Sequence, residues 1–301
     1  TNEWFATGAL TYALNGDQKE INWYQTLGED AEPTLDATHA VVYVVGEFEC
    51  DGVTAKGDIS YSNTDGKKVD PHTFVNGICT KCGAADETYC DLVDGYYEVG
   101  NANQLQWISA LVNGGRNDVN VKLISDIDMK DVAWTPIGTS SYFYEGTFDG
   151  QLHRIKNLVI NNTETTETGL FKVLGPAVVR NLIIDSSCSF KSDRKSAALA
   201  GYCNGEGELL IENCGNEANV EGVTATNGNN SAFVGCNYSS GALKVTIKNC
   251  YNTGNVSGGN ENGIFSGWFA SNGKVISSWN TGKLDNGDGN QSAPVAEKRG
   301  Y

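Results

Sequence analysis

From Val119 onward the chain repeats itself, and this self-similarity restricts its fold more than any other feature. Val121-Lys122-Leu123-Ile124 reads as a strand, and similar apolar, β-branched runs follow at 155–160, 178–184, 209–214, 244–250 and 274–279. The phrase Asn213-Cys214-Gly215-Asn216-Glu217-Ala218-Asn219-Val220 aligns with Asn249-Cys250-Tyr251-Asn252-Thr253-Gly254-Asn255-Val256, and Ser278-Trp279-Asn280-Thr281-Gly282-Lys283-Leu284 is a degenerate third copy. A second repeated strand lies between them: Gly169-Leu170-Phe171, Ala198-Leu199-Ala200-Gly201, Ala232-Phe233-Val234-Gly235 and Ile264-Phe265-Ser266-Gly267. A period of roughly thirty residues marks a repeat architecture. The units read as strands and turns without helices, which argues against helical solenoids. A propeller blade needs four strands in about 40 to 45 residues, and these units show fewer clear strands than that. The expectation for 93–301 is therefore an all-β fold of stacked coils, a parallel β-helix.

In stacked coils, equivalent positions form columns. Cys214 and Cys250 are equivalent, and Cys203 and Cys236 nearly so. Cysteine is small and readily buried, so these four read as core filler, with metal binding or disulfides as the alternative. Asn157, Asn181, Asn213 and Asn249 recur at strand ends, where stacked carboxamides satisfy turn backbone groups. Leu105, Ile108, Leu111 and Val112 fall at helical spacing, which predicts a helix over 103–113, capped by Asn101 or Asn103 and ended by Gly114-Gly115. Such a helix covers the open end of a solenoid. Residues 285–301 are expected to cover the other end, although Asp285-Asn286-Gly287-Asp288-Gly289 has a flexible composition.

Residues 1–92 carry no repeat and read as a small β-rich module. Ala40–Gly46 is a buried-strand pattern, and Leu10–Leu14 followed by Asn15-Gly16 reads as a strand into a turn. His72, Cys79 and Cys82 give this module its sharpest chemical signal. A Cys-x-x-Cys turn aims two thiolates at one ion, and Gly83 permits the tight backbone. Structural zinc needs four ligands, and Cys50 is the expected fourth, with Cys90 and His39 as alternatives. A Cys79–Cys82 or Cys50–Cys90 disulfide, or an unmetallated turn, is the competing reading. No βαβ pattern surrounds the motif, so a thioredoxin-like role is weak.

The formal charge of −16 and sequence pI near 4.5 argue against nucleic acid and bare anionic membrane as partners. With 40% hydrophobic residues the chain is rich enough to build a core. No run of apolar residues is long enough for a bilayer, so membrane insertion is not expected. The chain opens on Thr1-Asn2-Glu3-Trp4, which reads as part of a longer precursor. Nine cysteines, an odd number, argue against a fully paired disulfide framework.

Leu123-Ile124-Ser125-Asp126-Ile127-Asp128-Met129, Trp134-Thr135-Pro136-Ile137-Gly138, Tyr144-Glu145-Gly146-Thr147-Phe148-Asp149-Gly150 and Ile155-Lys156-Asn157-Leu158 stand in this order. Together they resemble the opening of GLUG-type repeat proteins, found on surfaces of gut anaerobic bacteria and beside the catalytic part of some immunoglobulin A peptidases. Gly169-Leu170-Phe171 and the later Gly-containing phrases look like the repeats themselves. The resemblance covers about 94–284 of this chain. Leu152 departs from it, because the family phrase carries Gly after the Phe-Asp-Gly turn. The resemblance implies a right-handed β-helix, export and surface display, and it supplies no active site. No His-Glu-x-x-His occurs, so it does not imply a peptidase in this segment. Trp23–Asp30, Leu35–His39 and His72–Gly83 resemble another recurrent module of such surface proteins, with no activity to carry over.

Asp126 and Asp128 alternate on a strand and face one side, and with Asp149 they are the candidates for paired-carboxylate chemistry. Their competing role is to fix turns and backbone amides. His153 stands alone and reads as structural. Trp134, Tyr142, Phe143 and Tyr144 are the candidates for stacking on a sugar or anchoring a protein, against the plainer reading of core packing. The expected function is a secreted or cell-surface, non-catalytic scaffold, a monomer that binds a glycan or a surface protein. The alternatives are a glycoside hydrolase or polysaccharide lyase of pectate-lyase-like shape, and a structural stalk of a larger peptidase or adhesin. Apart from structural zinc, no cofactor is expected.

Overall fold

A computed structural model of the chain describes residues 2–16, 18, 20–223, 228–237, 242–259, 261–269 and 273–285. The expected C-terminal cover over 285–301 falls, beyond Asp285, outside the described residues. The chain divides into two compact units, Thr1–Val75 with Cys79–Ala84, and Asn76–Ile78 with Ala85–Tyr301.

The first unit combines two short helices, Asn2–Ala6 and Ala9–Leu14, with a three-stranded sheet in which Tyr43–Phe48 lies between Ser60–Ser62 and Gly66–Val69. The expected strand at Leu10–Leu14 is a helix. Alanine and leucine favour helix, and Thr11 is buried with its hydroxyl donating to Gln25 Oε1 at 2.6 Å. Asn15 and Gly16 end that helix instead of opening a hairpin. The apolar run before Gly46 does form the central strand, with Val42, Val44 and Phe48 buried.

The second unit is mostly β, and its sheets are parallel from coil to coil, as in a β-helix or solenoid. One coil contributes Val178–Arg180, Ile183–Ile184, Ser189–Ser196 and Ala200–Cys203 to four different sheets, and Gly207–Glu212 then returns beside Val178–Arg180. The four sheets hold eight, six, four and four strands. Pairing is in register, so side chains stack in columns. Val121, Phe148, Val179, Ile211 and Ile247 form one inward column, the last capped by Val275. The first five are fully buried. Cys203, Cys214, Cys236 and Cys250 are buried free thiols, and burial pushes Cys203 up and Cys236 up to about 12. Thiols that stay protonated behave as small apolar side chains, suited to a narrow core.

The helix runs from Ala102 to Asn113. Asn101 caps it, with Oδ1 accepting from the Gln104 amide at 3.0 Å, while Gln104 Oε1 accepts from the Gly100 amide at 2.8 Å. Such a reciprocal cap is worth about 1 kcal/mol. Its buried residues Leu105, Trp107, Ile108, Leu111 and Val112 join the same apolar core as the coils. The helix follows Tyr96–Val99 near the N-terminal end of the eight-stranded sheet.

Coil corners need left-handed backbone, which asparagine tolerates better than other side chains. Asn157, Asn181, Asn213 and Asn249 have φ of 56°, 54°, 53° and 53°. Asn249 Nδ2 donates to Asn213 Oδ1 at 3.4 Å, Asn213 Nδ2 to Asn181 Oδ1 at 3.2 Å, and Asn181 Nδ2 to Asp149 Oδ1 at 3.0 Å. A second, inner ladder runs Asn216 to Asn252 to Asn280, at 2.8 and 2.7 Å. Leu152 also occupies the left-handed region, at φ 66°, and its side chain is exposed. The turn therefore keeps the geometry glycine would favour, and a leucine there carries about 1 kcal/mol of strain without compensating burial. Leu152→Gly is expected to raise the urea unfolding free energy of the second unit by about 0.5–1 kcal/mol, and a loss of stability would disprove the strain.

Candidate functional site

The four expected ligands converge in the first unit. Tyr43–Phe48 and Gly66–Val69 run parallel, with Phe48 beside Val69, so the segments leaving them deliver Cys50 and His72 at the same end of the sheet. Cys79 and Cys82 sit on one turn, where the Gly83 amide donates to the Cys79 carbonyl at 3.0 Å and Gly83 takes φ 76°. The ligand atoms of Cys50, His72, Cys79 and Cys82 all lie within 4.8 Å of one another. Cys50 Sγ and Cys79 Sγ are 3.6 Å apart, and Cys82 Sγ and His72 Nδ1 are 3.4 Å apart. A tetrahedron with metal–sulfur bonds of about 2.3 Å and metal–nitrogen bonds of about 2.0–2.1 Å has edges of about 3.8 and about 3.6 Å. The cluster could therefore hold a metal ion with little rearrangement. Amides of Cys82 and Lys81 aimed at Cys79 draw its thiol down, whereas burial and the neighbouring thiols push Cys50 up. Crowded thiolates repel one another, and a cation relieves that repulsion. The alternative fourth ligands lie elsewhere. His39 Nδ1 is 2.7 Å from Asp30 Oδ2, and Cys90 is buried in the core of the second unit.

The candidate acids are tied into the coils. Asp126 and Asp128 are exposed on the same side of the chain. Asp126 accepts from Lys156 Nζ at 2.6 Å and from the Arg154 amide at 3.0 Å. Asp128 accepts from Asn157 Nδ2 at 2.8 Å and from the Lys130 amide at 3.0 Å. These bonds hold both carboxyls below their usual range, led by Lys156 for Asp126 and by Asn157 for Asp128. Asp149 belongs to a different sheet and is buried. Burial alone would raise its pKa, but Asn181, the Gln151 amide and Arg180 outweigh it, and the net shift is downward. All three carboxylates brace turns or adjacent coils. His153 Nδ1 lies 3.4 Å from Asp126.

The aromatic candidates do not form one exposed patch. Tyr144 is fully buried, its ring 5.4 Å from that of Phe171 and its hydroxyl donating to the Val119 carbonyl at 2.9 Å. Trp134 is half-buried against the core, with Nε1 donating to the Gly169 carbonyl at 3.3 Å. Phe143 packs against Gly175 and Gly205. Tyr142 alone of the four is exposed. Along Tyr142-Phe143-Tyr144 the side chains pass from exposed to half-buried to buried, so Tyr142 and Tyr144 do not share a face as they would in a regular strand.

A group that sequence reasoning missed lies on the outer face of the six-stranded sheet. In-register pairing places Arg154, Ile183, Gly215, Tyr251 and Trp279 in one column. Arg154 donates to Glu217 through both Nη atoms at 2.8 and 3.0 Å, and to Asp185 at 2.6 Å. Tyr251 donates to Glu217 Oε1 at 2.9 Å and stacks on Trp279, with ring centroids 5.2 Å apart and 14° between planes. Its ring occupies the space over Gly215, where a Cβ would sit 2.3 Å from Cζ. The available signal was the alignment of the three repeated phrases, which puts Gly215, Tyr251 and Trp279 at equivalent positions. The neighbouring four-stranded sheet carries an open groove of about 400 Å³ on its outer face.

Cobalt(II) titration is expected to give thiolate-to-metal absorption saturating at one ion per chain. Cys79→Ser should lose that absorption, and His39→Ala should keep it; equal spectra from the two variants would reject the cluster. The Arg154 clamp makes a separate statement about acid. Arg154 is the main cause that lowers the Glu217 pKa, while for Asp185 the lowering by Ser187 and Arg154 outweighs burial. Groups depressed in the folded state contribute stability that is whole above their unfolded pKa and lost as pH falls through the folded one. Glu217→Gln is expected to cost about 1–2 kcal/mol at pH 7. The gap to the parent should shrink below about pH 4, measured by urea unfolding across pH.

No family model matches the chain. A protein of Evansella cellulosilytica described as a "Putative Gly-rich membrane protein" is 31% identical over 99 residues, which is 31% of this chain and 11% of that protein. The chain thus spans only a small part of that relative's length. A crystal structure of a "putative immunoglobulin A1 protease from Bacteroides ovatus" superposes on 66% of this chain and 81% of its own, at 21% identity and a TM-score of 0.40. Among the described residues no helix is long and apolar enough to cross a membrane.

Proposed function

We propose that this chain is a non-catalytic scaffold of a secreted or cell-surface protein, a right-handed parallel β-helix of the GLUG type that binds a glycan, joined to a front module held by structural zinc. The observation that carries the reading is the state of the carboxylates that bridge its coils. Asp126, Asp128, Asp149, Asp185 and Glu217 are each engaged by fixed donors, and each is held below its usual pKa. Glycosidic cleavage needs one carboxyl with a raised pKa to protonate the leaving oxygen. None of these five meets that need. Locked carboxylates remain good hydrogen-bond acceptors for hydroxyls, which suits binding without cleavage. The right hand follows from parallel crossover connections, which are right-handed in about 98% of cases. Zinc follows from a three-sulfur, one-imidazole ligand set, a usual composition of structural zinc sites.

An array of glycans, with reducing-sugar release measured on every hit, tests this reading. Binding without release is the expected result. Release of sugar would overturn it and return the chain to the carbohydrate-active enzymes. Absence of any glycan ligand would leave the stalk reading in its place.

A further inference from the structure

The groove on the four-stranded sheet is built from Val159–Thr168, Ser189–Ser196, Asn219–Gly222 and Val256–Ser257. At about 400 Å³ it falls within the size of small-ligand sites, which is about 300–1,000 Å³. Its floor is two columns, headed by Val159 beside Ser189 and by Asn161 beside Lys191, and polar from there on. Ser189 pairs with Asn219, followed by Asn255 one coil on, and Lys191 pairs with Glu221, followed by Ser257. The apolar residues between them, Phe190 and Val220, point into the core and are buried. Lys191 Nζ lies 2.7 Å from Glu221 Oε1 across the middle. The two asparagines are fixed by the coil above. Asn219 Oδ1 accepts from the Asn255 amide at 2.9 Å, and Asn255 Oδ1 accepts from the Lys283 amide at 3.0 Å. With their oxygens taken, both Nδ2 groups remain as donors, and among the described residues neither has a partner.

We infer that this groove is the saccharide-binding site of the solenoid, and that it takes a neutral oligosaccharide lying along the stack of coils. The inference rests on the glycan-binding reading above and names its site and ligand class. The chemistry of the floor selects the ligand. Amide donors, serine hydroxyls and an ion pair alternate at coil spacing, about 4.8 Å, a step comparable to one pyranose unit. Sugar hydroxyls both donate and accept, so they satisfy donor and acceptor columns alike. An apolar ligand finds a single outward apolar side chain, Val159 at one end, since Phe190 and Val220 face inward. A polyanion finds one cation, Lys191, already paired with Glu221, in a chain of net charge −16. A peptide would need pockets for alternate side chains, and the floor offers small polar groups instead.

The test uses the full chain with immobilised neutral glycans (β-glucan, mannan, arabinoxylan and desialylated mucin O-glycans) and, as separate arms, polygalacturonate and sialylated O-glycans. Ser189→Trp fills the groove from an outward position without removing any coil-to-coil hydrogen bond; Lys191→Ala and Glu221→Ala trim its centre. Parent-like circular dichroism and thermal midpoint qualify each variant, so the two small substitutions keep the test decisive should the tryptophan misfold. The expected result is binding in the neutral arms, weakened at least tenfold by Ser189→Trp and about three- to tenfold by each alanine. Parent-level binding by all three variants, or loss on Trp279→Ala instead, would overturn the groove and leave the glycan-binding reading standing. Binding confined to the anionic arms would overturn the ligand class. No binding by the parent in any arm would overturn both.

Discussion

In-register parallel pairing between coils is the constraint on which the second unit depends. Once Val179 sits over Phe148 and Ile211 over Val179, every side chain faces its own equivalent one coil away. Apolar columns tolerate this readily, because like side chains pack on like. Polar columns do so only where each member both donates and accepts. Asparagine meets that condition, which explains two asparagine ladders in one solenoid, one outside at the corners and one buried inside. Charged columns need alternating sign, and the outer faces supply it: Lys156 with Asp126, Arg154 with Asp185 and Glu217, Lys191 with Glu221.

The same constraint shapes what the surface can do. Asp126, Asp128 and Asp149 each accept from a basic or amide donor one coil on, and Arg154 reaches across one and two coils to Asp185 and Glu217. That arrangement holds protons off these acids and leaves a regular surface of hydrogen-bonding groups. The first unit solves a different problem. Its apolar core is small, and for so few buried side chains a tetrahedral metal would add a cross-link that packing alone does not provide.

Much of the repeat was legible. The strand runs, the second strand with its Gly-containing phrases, the helix start at Asn101 and the corner asparagines all follow from local pattern, because each depends on residues near in sequence. The Cys/His cluster was legible too, since Cys79 and Cys82 share a turn and Cys50 follows a recognisable strand. Leu10–Leu14 misled, because a short apolar run fits strand and helix equally, and here it forms the helix Ala9–Leu14 with Thr11 buried against Gln25. The aromatic patch at 134–144 was illegible in a different way. The segment enters the core without the regular alternation of a strand, so nothing in one dimension marks Tyr144 as the core member and Tyr142 as the exposed one.

The sequence by itself determined the period, the strand content, the corner geometry and the Cys-x-x-Cys turn of the Cys/His cluster, since these are properties of adjacent residues or of the repeat. Only the tertiary structure decided which groups meet across coils. Arg154 and Glu217 are separated by two coils, and the groove draws its floor from segments as far apart as Val159 and Ser257. Coil lengths vary along the chain, so the register that joins these residues is set by packing and pairing of the whole stack, not by any spacing readable in one dimension.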